Sequence, residues 1–376
     1  MVDFENIVIG SGCIGLAIAR EIALSGRSVL VVEKEQSFGV GISSRNSEVI
    51  HAGVYYPEGS KKALHCSRGR KMLYEYCDEN GIPYKKTGKL IVATDPGEEK
   101  KLEAIELQAQ ANGLLGEDAL VPLTSSEARR LEPELYCSSA LLSPYTGIID
   151  SHAYMNQLVL DAQMGGAEFS FNTLINRIEL GSPHRLSGVS CGEKFDITAQ
   201  HVFIAAGLHT AQICRSAGIQ APSDYWLKGN YFKLNHASPF RRLIYPVPVE
   251  GGLGVHATID MGGRTRFGPD TQDTDCEDYS VDPARLIDFQ VSIRKYWPGL
   301  PEGSLSPDYA GIRPKLRTAS ENAADFIIDG PEQLGFEGLV ALQGIESPGL
   351  TASLSLAQAA YQKMFFQARG QCRPWD

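Results

Sequence analysis

Two kinds of side chain in this chain could do chemistry: proton acceptors and anion binders. Imidazoles take up and release protons near neutral pH. An arginine in Gly311-Ile312-Arg313-Pro314-Lys315 offers a planar fork that can hold a carboxylate by two hydrogen bonds. Of the eight histidines, context separates six from two. His65, His184, His209 and His236 sit in polar or helical surroundings and read as surface residues. His201 opens an apolar strand and reads as structural, and His152, after Asp150-Ser151, reads as part of a helix start. His256 and His51 remain. His256 follows Leu253-Gly254-Val255 in a strand pattern whose alternate residues share a face, and it ranks first as proton acceptor or direct ligand. His51, in Val49-Ile50-His51-Ala52-Gly53-Val54-Tyr55-Tyr56, ranks second. A satisfied core histidine is the competing reading of each. Tyr231 and Tyr245 are candidate hydroxyl donors, with sheet packing as the alternative, and Lys228 is a candidate for a second, distal carboxylate.

The elements that must position these groups begin with Gly10-Ser11-Gly12-Cys13-Ile14-Gly15. An apolar strand, Phe4 to Ile9, precedes it; a helix, Ile14 to Ser25, and a second strand, Ser28 to Val32, follow. Glu33, beside Lys34, falls 18 residues after Gly15, close to the spacing of a carboxylate that accepts from ribose hydroxyls. Glycine spacing alone is weak evidence, but strand, fingerprint, helix, strand and Glu in this order describe a dinucleotide cradle. Ser43-Ser44-Arg45-Asn46-Ser47 is a run of short hydrogen-bonding side chains that suits a helix opening onto a pyrophosphate. Downstream, His201 to Gly207 is a buried strand ending in small residues, so Ala206 and Gly207 allow close approach of a cofactor. Gly344, Glu346, Ser347, Pro348, Gly349, Leu350 and Thr351 form a glycine-rich loop that feeds a helix running from Ala352 to about Arg369. Such a helix start offers N–H donors and partial positive charge.

Together these motifs resemble the D-amino-acid-oxidase-like superfamily of FAD enzymes. Within it the chain is most similar to the L-2-hydroxyglutarate dehydrogenase/oxidase family, whose pattern runs HNSxVIHxGxYY. The similarity extends to Gly88 to Ala93, Thr146 to Asp150, Ile244 to Pro248 and Leu253 to His256. There are departures: Arg45 stands where the family commonly has His before Asn-Ser, Lys228-Gly229-Asn230-Tyr231 replaces Arg-Gly-Asp-Tyr, and the chain is shorter around 297 to 306.

The resemblance implies an α/β fold. A glutathione-reductase-like Rossmann sheet of the two-dinucleotide-binding type would be assembled from residues 1–83, 144–221 and 306–376. A mixed-sheet α+β substrate domain would be inserted as 84–143 and 222–305. It also implies that FAD contacts His51, Gly53, Gly311 and Arg313 in addition to the segments above, and that the last helix points at the flavin pyrimidine edge. The implied activity is oxidation of a small 2-hydroxy acid, L-2-hydroxyglutarate first, with oxygen, a quinone or an electron-transfer protein taking the electrons. An amine or amino-acid oxidase, or a flavin-binding subunit of a larger complex, are the alternatives.

Composition sets outer bounds. Hydrophobic residues make up 43% and charged residues 21%, ordinary for a globular protein. The net charge of −10 disfavours nucleic acid as a partner, and it means that an anionic substrate must be received by local cations. The eight cysteines show no CxxC pair and no His at zinc-ligand spacing, so the expectation is reduced thiols and no metal. With the first strand beginning near Phe4, a cytoplasmic enzyme is expected; peripheral membrane contact is left open.

Overall fold

The computed structural model describes residues 2–248, 254–317 and 324–366. Its first sheet has eight strands. Phe4–Ile9 lies at the centre, parallel to Leu30–Val32 on one side and to Glu193–Ile204 on the other. Leu30–Val32 and the last three residues of Glu193–Ile204 are apolar and fully covered, as parallel strands with helices on their faces must be. Glu193–Ile204 is longer than the buried strand expected from His201. Its first half carries the antiparallel meander Thr173–Glu179 and His184–Ser190, and its last residues pair in parallel with Leu339–Gln343. Helix Cys13–Leu24 packs against both Ser151–Met164 and Gly349–Phe365, and Lys61–Asn80 packs on Gly349–Phe365. Asp150 caps Ser151–Met164 by accepting from Ala153 N–H, so His152 does lie at a helix start. The last helix is described from Gly349 to Phe365; its expected continuation to Arg369 lies outside the described residues.

The second sheet has nine strands. Lys89–Ala93 pairs in parallel with Leu243–Pro246 and antiparallel with Ser139–Ser143. Asp224–Leu234 pairs along its length with Leu305–Leu316. The aromatic core on this sheet contains Phe232, Phe267, Phe289, Tyr296 and Trp297. Leu305–Leu316 departs from the sequence reading, which ends the inserted segment at 305; hydrogen bonding carries the strand with the second sheet as far as Leu316. Val49–Ile50, Gly147–Ile149 and Tyr84–Lys85 form a small third sheet.

Three local expectations are corrected. Ser43 to Ser47 does not open a helix: Ile42–Ser44 is one 3₁₀ turn. There the Ser44 hydroxyl bonds the Val40 carbonyl and the Asn46 amide bonds the Ser43 carbonyl, side-chain partners that compete with a helical ladder. His65 and His184 are buried rather than on the surface, bonded to Ser355 Oγ and to the Glu337 carbonyl. His209 is half-buried in an ion pair with Glu277 at 2.7 Å. As expected, the seven described cysteines are free thiols, five of them buried. No described helix is long and apolar enough to cross a membrane.

Candidate active site

A single continuous cavity of about 1620 Å³ runs from the Gly10–Gly12 loop, past the Ser43–Ser47 turn, to the face of the second sheet. Its first end is built from backbone. Helix Cys13–Leu24 has Gly12 at its N-cap and no side-chain cap, a helix start that suits an anion, with Cys13 N–H itself taken by Ser43 Oγ. A Cβ on Gly15 would collide with the Gly10 carbonyl, and one on Gly12 would come within 2.9 Å of Ser43 Oγ, the atom that accepts from Cys13 N–H. Glu33 Oε2 accepts from the N–H and hydroxyl of Ser11, at 2.8 and 2.9 Å, which aims the carboxylate at the cavity wall. Lys34 lines the same end, paired with Glu35. At the far side of the cavity, helix Gly349–Phe365 also begins without a side-chain cap.

The Ser43–Ser47 segment ties this end to the second sheet. Ser47 Oγ lies 2.7 Å from the Tyr231 hydroxyl, Tyr231 stacks on Tyr309, and the Tyr309 hydroxyl donates to the Asn46 carbonyl. The Arg45 guanidinium lies 4.1 Å over the Tyr279 ring.

The second end is built from side chains. His51 N–H donates to Thr351 Oγ1 at 3.0 Å, and His51 Nε2 lies 3.3 Å from Ser347 Oγ. Burial first, then the Lys89 and His256 charges, push its pKa down to about 3, so the imidazole is neutral at working pH. His256 is 4% exposed, and its ring lies face to face with Tyr245, 3.6 Å between centroids. Burial keeps the Tyr245 phenol protonated. Arg313 is anchored by three backbone carbonyls, of Leu227, Lys228 and Asp270, and lines the cavity. Glu346 Oε1 accepts from both Lys62 and Lys315 at 2.8 Å, and Asp325, which accepts from the Lys62 backbone N–H, lines the same cavity.

The cavity thus brings together His51, His256, Tyr231, Tyr245 and Arg313 with Gly10, Gly12, Cys13, Ile14 and Glu33. Ser43, Arg45, Asn46 and Ser47, then Ala206, Gly207 and Gly311, and the loop from Glu346 to Leu350 also line it. Gly15, Ser44, Gly53, Gly344 and Thr351 do not line it. Lys228 is not brought in: Leu227, Gly229 and Tyr231 face the cavity, while Lys228 Nζ pairs with Asp278 at 2.8 Å. Sequence reasoning missed Lys62, Lys89 and Lys315. Lys315 was within reach, because two residues beyond Arg313 on a strand is the same face.

The model of the FAD dependent oxidoreductase family matches residues 6–362. The L-2-hydroxyglutarate dehydrogenase of Arabidopsis thaliana is 43% identical over 94% of this chain and 82% of its own length. The chain belongs to that family of FAD-dependent oxidoreductases. The L-2-hydroxyglutarate dehydrogenase of Caenorhabditis elegans is 29% identical over 94% of this chain and 92% of its own. The fold recurs in the FAD-bound L-alpha-glycerophosphate oxidase of Mycoplasma pneumoniae, at TM-score 0.88 and 23% identity, covering 96% of this chain and 94% of that one. It recurs in glycine oxidase from Geobacillus kaustophilus, at TM-score 0.83 and 20% identity, covering 99% and 96%. Both L-2-hydroxyglutarate dehydrogenases are named as mitochondrial, which overturns the expectation of a cytoplasmic enzyme. FAD fits the residues present: two uncapped helix starts, glycines where a Cβ would fill the cradle, and an oriented acceptor in Glu33.

Proposed function

We propose that this enzyme oxidises L-2-hydroxyglutarate to 2-oxoglutarate, with His51 as the acceptor of the hydroxyl proton. The observation that carries the reading is the meeting of two imidazoles and a cavity-lining Arg313 in the same space as the dinucleotide cradle. Bound FAD supplies a two-electron acceptor for the hydride that leaves C2. The protein supplies the rest. An alcohol is too weak an acid to ionise beforehand, so its proton must pass to a base as the hydride departs. His51 is held uncharged chiefly by burial, and an anionic substrate beside it raises its proton affinity. His256, clamped on Tyr245, is the second imidazole at the substrate. Arg313 takes the carboxylate next to the carbinol carbon; Lys62 and Lys315, which line the same cavity, receive the other.

Residues 1–83, 144–221 and 317–376 would then hold the cofactor, and 84–143 with 222–316 would hold the acid. An acceptor, either oxygen or a quinone or electron-transfer protein, must finally take the electrons; the rate of reoxidation in air separates these. The function is tested by anaerobic mixing with L- and D-2-hydroxyglutarate. Bleaching of the flavin by the L enantiomer with equimolar 2-oxoglutarate supports the reading, and inertness toward both rejects it.

A further inference from the structure

Lys89 is a charged group of this site that the proposed reaction leaves unused. It opens the strand Lys89–Ala93, every residue of which is buried, and is itself 1% exposed. No carboxylate among the described residues offsets its charge. Its Nζ instead lies 4.7 Å from the ring centroid of Tyr55 and 4.7 Å from that of Tyr245. Both rings line the cavity, as do His51 and His256. Tyr245 in turn stacks on His256, and the Cys66 thiol donates from Sγ to the His51 carbonyl at 3.5 Å. The ammonium therefore stands directly behind the residues that face the substrate.

Burying an ammonium this way is costly. Its compensation here is the electron-rich face of two phenols, an attraction that is strongest when desolvated. We propose that Lys89 is a positioning residue for the oxidation: its ammonium holds Tyr55 and Tyr245, and through Tyr245 the His256 ring, and it repels positive charge from His51 so that this imidazole stands ready for the hydroxyl proton. The proposal rests on the function given above.

The titratable groups facing Lys89 come from four elements. His51 and Tyr55 lie on the segment after Val49–Ile50, Cys66 on helix Lys61–Asn80, Tyr245 on Leu243–Pro246, and His256 at the head of Ala257–Ile259. Burial pushes Cys66 up to about 12 and both tyrosines well above their ordinary value. Burial pushes Lys89 itself down to about 7, so its grip is present below neutrality and is lost as the pH rises through that value.

The test uses FAD-loaded wild type, Lys89→Met and Lys89→Arg, with kcat/KM for L-2-hydroxyglutarate followed from about pH 6 to about pH 9, on either side of the Lys89 value. Lys89→Met should be slower by about tenfold or more at the acid end, the weight of a desolvated cation–π contact. That gap should close above about pH 8, where wild type has lost the proton too. Lys89→Arg, charged throughout, should hold its acid-end rate into the alkaline range. A deficit in Lys89→Met that is the same at every pH marks a merely structural role and overturns the proposal. Should Lys89→Met fail to hold FAD, Lys89→Arg decides alone: a rate that still falls through about pH 7 overturns it. NMR titration of the His51 ring needs no turnover. Proton uptake at higher pH in Lys89→Met than in wild type is expected, and an unchanged titration contradicts the proposal. Failure of the substrate reading shows separately, as a wild-type flavin that no 2-hydroxy acid reduces.

Discussion

The two ends of the cavity are made by different means. Near Gly10–Gly15 the groups on offer are mainly backbone N–H donors at a helix start capped by glycine, with Ser43 Oγ and Glu33 the side chains that meet them. At the other end, His51, His256, Tyr245 and Arg313 arrive from four separate segments and are held by stacking and by carbonyl contacts. A backbone site binds a shape and a charge that do not change during a reaction. A side-chain site can change protonation, and burial sets where each group does so. The cradle should therefore govern retention of FAD, and the imidazole end should govern rate.

The largest expected effect is on rate. His51→Ala should slow anaerobic flavin reduction by L-2-hydroxyglutarate by about 10² to 10⁴, the usual weight of a positioned proton acceptor, with flavin content unchanged in the absorbance spectrum. Loss of flavin from this variant would erase the contrast between the ends. Arg313→Lys follows. The ammonium cannot reach the Leu227, Lys228 and Asp270 carbonyls and a carboxylate together, so kcat/KM should fall by about 1.5 to 3 kcal/mol in transition-state terms; a steady-state value equal to wild type would remove Arg313 from the substrate. Gly12→Ala acts at the cradle. Its Cβ pushes Ser43 Oγ away from Cys13 N–H and crowds the helix start. Equilibrium dialysis should show FAD bound more weakly by over about tenfold, or about 1.4 kcal/mol, with the reduction rate of the loaded fraction intact. Lys228→Met should be the mildest, because Lys228 faces Asp278 and away from the cavity; a raised KM for the acid would bring it back to the site.

The backbone end was legible because its information is local: Gly10, Gly12, Gly15 and Glu33 lie within one strand–helix–strand unit, and spacing alone orders them. His51 and His256 could be singled out as candidates, but their sharing of one cavity could not be read, since Ser347 and Tyr245, which fix them, lie 296 and 11 residues away. His65, His184 and His209 misled for the same reason. Their neighbours in sequence are polar, while the groups that surround and satisfy them, Ser355, Glu337 and Glu277, are distant. Lys228 is a different case. Three residues separate it from Tyr231, and on one strand an odd separation puts two side chains on opposite faces, so period two already argued against pairing them. Nothing in the sequence around Lys89 marks it as buried; only the rings of Tyr55 and Tyr245, from two other segments, give its burial a meaning.

The central claim, that the imidazole end is built to oxidise an alcohol, is met most directly by a matched pair of substrates. L-2-hydroxyglutarate and L-glutamate share both carboxylates and differ at C2 by hydroxyl against amine, so Arg313 and the lysines treat them alike. An amine can lose hydride once neutral, without an imidazole to take a hydroxyl proton. Measured by anaerobic stopped flow on the same FAD-loaded enzyme, flavin reduction should be fast with the hydroxy acid and negligible with the amino acid. Reduction by L-glutamate at an equal or greater rate would contradict the account and make the enzyme an amino-acid oxidase.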